Sequence, residues 1–188
     1  MSEYLLTDQQ VQQFICDGYI AIKSNLPEEF HQKIYSDSLK LFEKEGNLGN
    51  NILPKVPDLL KVYHDEPVYA ALESLIGKNW IMQPHRHPHL NRPGSNFQQW
   101  HKDTYFGFTK PARTHQIKNV MGMYYPQKTT VEMAATQIKP QTQYSIVDPK
   151  KYRGELQNQH RKSNKKIDKS FVCDAGTILL IHYDLVHR

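Results

Sequence analysis

His101-Lys102-Asp103 sits mid-chain, and His187 is the penultimate residue of the 188. A His-x-Asp with a distant downstream His is the ligand set of the two-His, one-carboxylate facial triad. Such a triad holds one face of an Fe(II) and leaves three coordination positions open for chemistry. The bare triplet has an equally simple explanation: a surface-strand His and Asp sharing a hydrogen bond. His187 by itself reads equally well as a solvent-exposed terminal side chain.

Three segments satisfy His-x-acid: His64-Asp-Glu66, His101-Lys-Asp103 and His182-Tyr-Asp184. Geometry separates them. Residues i and i+2 of a strand project to one face, so both can reach one ion. On a helix the same pair diverges. His64 closes a helical segment just before Pro67, which disfavours it. His182 has only His187 downstream, and five residues along a single strand reverses the face. His101 and Asp103 lie in the strand-like Gln98-Gln-Trp-His-Lys-Asp-Thr-Tyr105, with a distal His far downstream. Only this segment meets every requirement.

Two further clusters could bind something. His85, His87 and His89 alternate, and alternate histidines on a strand can hold Zn²⁺ or Ni²⁺. They read more simply as neutral pocket-lining or surface side chains. Residues 148–170 carry eight Lys and Arg against three Asp and Glu, which accounts for the entire +5 net charge of the chain. That stretch suits an acidic or phosphate-bearing partner. It also reads as a solvated insertion, because only Tyr152 interleaves an aromatic ring with the charges.

The elements that must position these groups fall into two parts. An N-terminal third, 1–78, is helical. Thr7-Asp-Gln-Gln10 is a capping box, and Gly18 is a natural stop for the helix between them. A short strand follows at 19–23. Leu26-Pro27-Glu-Glu opens a second helix that runs to about Glu45, with Phe30, Ile34, Leu39 and Phe42 on its buried side. Shorter helices are expected over 56–63 and 68–76. From Trp80 onward the segments are short and rich in β-formers: 80–89, 96–108, 120–125, 135–139, 171–173 and 177–187. This order predicts one α+β domain over 1–188, with helices on one face of an antiparallel sandwich or barrel. The 11% aromatic content argues against disorder. The start of the chain has neither the basic nor the apolar region of a signal peptide, and no apolar run reaches bilayer length. A cytoplasmic, membrane-independent protein with Cys16 and Cys173 as free thiols is expected.

Taken in order, these residues resemble the phytanoyl-CoA dioxygenase-like family of Fe(II)/2-oxoglutarate oxygenases. Leu6 to Ile22 is similar to the family's opening helix-Gly-Tyr-strand. Asn91-Arg-Pro-Gly-Ser95 and Trp100-His-x-Asp103 resemble the strand with the first two ligands, Met123 to Tyr144 the central segment, and Gly176 to His187 the strand with the distal His. The resemblance implies a double-stranded β-helix, the jelly roll of cupins, with N-terminal helices packed on one sheet. It implies Fe(II) held by His101, Asp103 and His187, with 2-oxoglutarate and O₂ as co-substrates. It implies hydroxylation of a small molecule with release of succinate and CO₂, and Asn91 and Gln98 as contacts to 2-oxoglutarate. Asp103 favours hydroxylation, because related halogenases put a small residue there.

Two departures from the family pattern stand out. Ala134-Ala135 and Gln141-Thr142 occupy positions where Gly-Pro and Gly-Ser are usual, so altered turn geometry is expected there. The Arg that pairs with the far carboxylate of 2-oxoglutarate would lie on a strand after the distal His, so a C-terminally truncated chain lacking its last strand is expected. The contrasting expectation is a metal-binding cupin-like module, or a fragment, without oxygenase activity. A nucleic-acid-binding role rests on 148–170 alone, and nothing else in the chain supports it.

Overall fold

The computed structural model describes residues 3–92, 98–103, 117–144 and 169–188. Helix α1 (Asp8–Asp17) begins as its sequence dictates. The Thr7 hydroxyl accepts from the Gln10 amide, and the Gln10 side chain accepts from the Thr7 amide at 2.9 Å. Gly18 ends the helix in the left-handed region, φ 83°, which costs a glycine least. The chain passes directly into β1 (Tyr19–Lys23) and then α2 (Glu28–Glu45), which Pro27 caps. On α2, Ile34 and the unforeseen His31 are the buried residues.

The next helices differ from expectation in their breaks. A 3-10 turn at Gly49–Asn51 leads into α3 (Ile52–Lys55), then α4 (Leu59–His64) and α5 (Glu66–Ile76). Pro57 follows α3, and α5 carries Pro67 in its first turn, where a missing N–H costs nothing.

The expected strand over 80–89 does not form. Pro84 and Pro88 cannot donate to a ladder. Side chains of the 47–51 turn hold this stretch instead: Asn50 Oδ1 accepts from the Arg86 amide at 2.8 Å, and Asn47 Nδ2 donates to the Pro88 carbonyl at 3.2 Å.

Among the described residues, six strands make two antiparallel sheets. The first has the order β1-β5-β2, with β2 at Val120–Tyr125 and β5 at Thr177–His182. The second has the order β4-β3-β6, with β3 at Gln137–Lys139, β4 at Lys169–Ser170 and β6 at Val186–His187. The run read as one strand over 177–187 is therefore two, parted by a turn at Tyr183-Asp184, and it crosses from one sheet to the other. The expected strand at 171–173 lies earlier, at β4, with Cys173 adding an isolated bridge to Thr129.

Central strand β5 is buried on both faces, and its alternation divides the core. Ile178 and Leu180 face the helices, packing with Phe14, Ile20, Val62, Val68 and Leu72. Leu179 and Ile181 face the second sheet, packing with Tyr19, Ile138, Phe171 and Leu185. Each such fully buried aliphatic side chain contributes about 1.5–3 kcal/mol. The two positions where glycine was missed keep a glycine-like backbone: Ala134 has φ 53° and Gln141 φ 66°. Gln141 is tied down by its amide and side chain, both bonded to Asp17. Cys16 and Cys173 are free thiols. Among the described residues no helix is long and apolar enough to cross a membrane.

Candidate metal centre

The second sheet ends at the candidate ligands. His101 and His187 form an isolated antiparallel bridge, exchanging both backbone hydrogen bonds at 3.0 Å. Residues directly opposite in such a pair share a face, and the two imidazoles meet at 4.3 Å between centroids. Within 98–103 the predicted strand thus reduces to one bridge, and Asp103 follows it. Its Oδ1 lies 3.9 Å from His101 Nε2, and its Oδ2 lies 3.8 Å from His187 Nε2.

Both rings are oriented by their own backbone. His101 Nδ1 lies 2.8 Å from the Gln99 carbonyl, and His187 Nδ1 lies 2.9 Å from the Leu185 carbonyl. A carbonyl only accepts, so each Nδ1 carries the proton and each Nε2 presents its lone pair. This is the orienting contact that metal-binding histidines use. Burial is the main cause holding His187 below the ordinary histidine range, with His101 adding to it, so the ring is neutral as a ligand must be.

A divalent metal fits this donor set. One donor atom from each residue lies within 4.8 Å of the others. Ligands about 2.1 Å from a metal and at right angles sit about 3 Å apart, so the observed spacing closes with a small side-chain rotation. Asp103 Oδ2 is buried with no hydrogen-bond partner. A buried carboxylate oxygen left so is costly unless a cation satisfies it.

Other groups crowd this centre. Lys102, between the two ligands in sequence, is buried and donates to the Thr142 carbonyl at 2.7 Å; burial lowers its ammonium to about 8, with Asp184 opposing. Burial raises the Asp184 carboxyl. Asp184 belongs to the His182-Tyr-Asp184 segment set aside in the sequence, and Lys102 was noticed only as the residue between His101 and Asp103. His89 lies close enough to His101, His187 and Asp103 to feel their charges, and it packs edge-on against His87 at 4.7 Å. His89, with His87 packed on it, therefore adjoins the centre. Among the described residues only His101, Asp103 and His187 bring three potential metal-ligating groups together. Asn91 and Gln98 are exposed, and no described hydrogen bond or ion pair ties either to the triad. Of the basic stretch, 148–168 lies outside the described residues, whereas Lys169 and Ser170 are a strand of the second sheet.

His31, His89, His182 and His187 are all held below the ordinary histidine value, each chiefly by burial. Unfolding releases them to titrate normally. The unfolded chain then binds more protons below about pH 6.5, so stability falls with pH in that range. Asp184, pushed up, works against this at the acid end. Denaturant midpoints of the metal-free protein should drop steadily from pH 7 to pH 5. A flat profile would show that these rings protonate as readily folded as unfolded.

The sequence matches the family model described as Phytanoyl-CoA dioxygenase (PhyH) over residues 14–188. No curated protein matches it. Solved structures with the same fold include the non-heme alpha ketoglutarate dependent carbocyclase SnoK from nogalamycin biosynthesis, at 15% identity and TM-score 0.64, covering 97% of this chain and 76% of SnoK. EctD from S. alaskensis, solved with 2-oxoglutarate and 5-hydroxyectoine, superposes with TM-score 0.67 at 15% identity over 100% of this chain and 71% of EctD. HygX from Streptomyces hygroscopicus, with nickel and 2-oxoglutarate bound, gives TM-score 0.65 at 12% identity over 97% and 80%. At these identities the likeness establishes the fold, a jelly roll of two facing sheets with helices on one side.

Proposed function

Because the chain belongs to the phytanoyl-CoA dioxygenase (PhyH) family, whose members are Fe(II)- and 2-oxoglutarate-dependent oxygenases, we propose that it hydroxylates a small molecule at a C–H bond, with release of succinate and CO₂. His101, Asp103 and His187 are the proposed iron ligands. The observation that carries this reading is the convergence of their donor atoms within 4.8 Å, with both imidazoles already fixed in the tautomer that frees Nε2.

When bound, Fe(II) supplies the open positions at which 2-oxoglutarate and O₂ react. The protein's own contributions are more limited. His187, 4% exposed, anchors the ion on the dry side of the site. Asp103 contributes the negative charge and occupies the third protein position. The Gln99 and Leu185 carbonyls prevent the rings from turning their protonated nitrogen inward. Asn91 and Gln98, exposed on the chain that leads into the ligand segment, are the proposed polar contacts to 2-oxoglutarate. An acidic substrate is proposed from the charge of 148–170 alone.

The test is succinate formation from 2-oxoglutarate and O₂ by the Fe(II)-loaded protein. Turnover without added substrate is common for such enzymes, so the substrate need not be known. Tight metal binding with no succinate from any candidate substrate would leave a jelly-roll metal-binding module in place of an enzyme.

A further inference from the structure

Asp103 is the least supported of the three candidate ligands. His101 is locked to His187 by both backbone hydrogen bonds of their bridge, and His187 is locked to β3 through its pairing with Ile138. Asp103 lies beyond the bridge, and its Oδ2 has no hydrogen-bond partner. The position of that oxygen therefore depends on how its backbone is held. The residue before it, Lys102, is where that backbone is tied. Lys102 is 6% exposed, and its Nζ donates at 2.7 Å to the carbonyl of Thr142, forty residues away. A surface lysine keeps its ammonium in water. This one gives up that hydration, which is costly, although an apolar side chain of similar volume would fill the same space without the cost.

The far end of the bond is well anchored. Thr142 lies in the 140–144 turn, which α1 holds from one side. The Gln141 amide and side chain bond to Asp17, and the buried Gln143 side chain donates to the Ile15 and Cys16 carbonyls at 2.9 and 3.1 Å. From the other side, Thr142 Oγ1 accepts from the Val186 amide at 3.0 Å and donates to the Lys139 carbonyl at 2.7 Å. Val186 precedes His187 as Lys102 precedes Asp103. One threonine thus ties both ligand segments to a common point, its carbonyl taking the Lys102 ammonium and its hydroxyl the Val186 amide. Asp184, in the turn between β5 and β6, attracts the same ammonium from a third segment.

We propose that Lys102 is a positioning residue for the metal centre: clamped onto Thr142, it fixes where Asp103 stands relative to His187. This deepens the metal-centre reading above and rests on it. Lys102 is not a ligand and acts through Asp103. The bridge sets the spacing of the two histidines, and the clamp sets the carboxylate against them. The cost of burying an ammonium is offset by a bond that an apolar side chain could not make.

Mn(II) calorimetry and the visible absorption of the Co(II)-loaded protein test this without turnover. Lys102→Met keeps the length and apolar stem of the side chain and removes the donor. Mn(II) affinity should fall about ten- to hundredfold, the range for losing a partner that orients a ligand. Lys102→Arg, which keeps charge and donor, should recover most of the loss. At saturating Co(II), the Lys102→Met spectrum should move from that of wild type toward that of Asp103→Ala, a change that general loosening of the fold would not produce. Thr142→Val, which frees the Val186 amide from the same anchor, should also weaken Mn(II), whereas Thr142→Ser, which keeps the hydroxyl, should not. Wild-type Mn(II) affinity in Lys102→Met would overturn the assignment and leave the metal centre intact. So would a weakened site with an unaltered Co(II) spectrum, which would mark a structural role. If Lys102→Met does not fold, the threonine variants decide, and equal Mn(II) affinity in Thr142→Val and Thr142→Ser overturns the assignment. A wild-type protein that binds neither Mn(II) nor Co(II) would overturn the metal centre itself, and this assignment with it.

Discussion

Asp103→Ala is expected to remove the stabilisation that metal gives the protein while leaving the metal-free protein at least as stable as wild type. A metal at a hundred times its Kd stabilises a one-site protein by about 2.7 kcal/mol. Losing one of three protein ligands should cost more than the ten- to hundredfold in affinity typical of losing an outer partner, and succinate formation should vanish with it. The metal-free half of the expectation follows from the orphaned Oδ2. A buried carboxylate oxygen without a partner destabilises the fold, and alanine relieves it. Thermal melts with and without Mn(II) read both halves. A structural His–Asp pair predicts the reverse, a less stable metal-free variant whose metal response survives.

Gly176→Ala should destabilise the fold by about 3–5 kcal/mol, placing it in the severe tail of single substitutions. Gly176 has φ 76°, which costs a residue with a Cβ about 1–2 kcal/mol. The backbone cannot move away. Its amide donates to the Tyr125 carbonyl at 2.8 Å, and its carbonyl accepts from the Ser24 amide at 2.9 Å, so it joins the ends of β1 and β2. The added Cβ lands on the His31 ring. His31 is 1% exposed and held by Tyr124 Oη at 2.7 Å and the Leu26 carbonyl at 3.1 Å, so displacing it breaks buried polar contacts. A fall in melting temperature of about 10 °C is expected. Combining Gly176→Ala with His31→Ser should cost less than the sum of the two. Strict additivity in that cycle would rule out the ring as the cause.

The grouping of His101, Asp103 and His187 was legible from the order of motifs, although the strand expected to carry the first two reduces to a single bridge at His101. The helical third was legible through local signals such as the Thr7–Gln10 box and Gly18. What failed was non-local. His182 and His187 were separated on the premise of one continuous strand, whereas a turn puts them in different sheets. The segment 80–89 has the composition of a strand, but its two prolines and the reach of Asn47 and Asn50 decide otherwise. Lys169 was grouped with a solvated basic run, because nothing in its neighbours reveals the register that sets it opposite Ile138 in the second sheet. His31 was invisible for a similar reason, since its partner Tyr124 is 93 residues away.

The two imidazoles of the candidate centre take their orientation from backbone carbonyls two residues back along the chain. No side chain from another element is required to aim them. The centre can therefore keep its aim while the residues around it diverge. Loops and pocket walls are free to be redrawn for new substrates, as long as two short backbone stretches keep their conformation. Sequence identities of 12–15% to solved structures of the same fold fit that freedom.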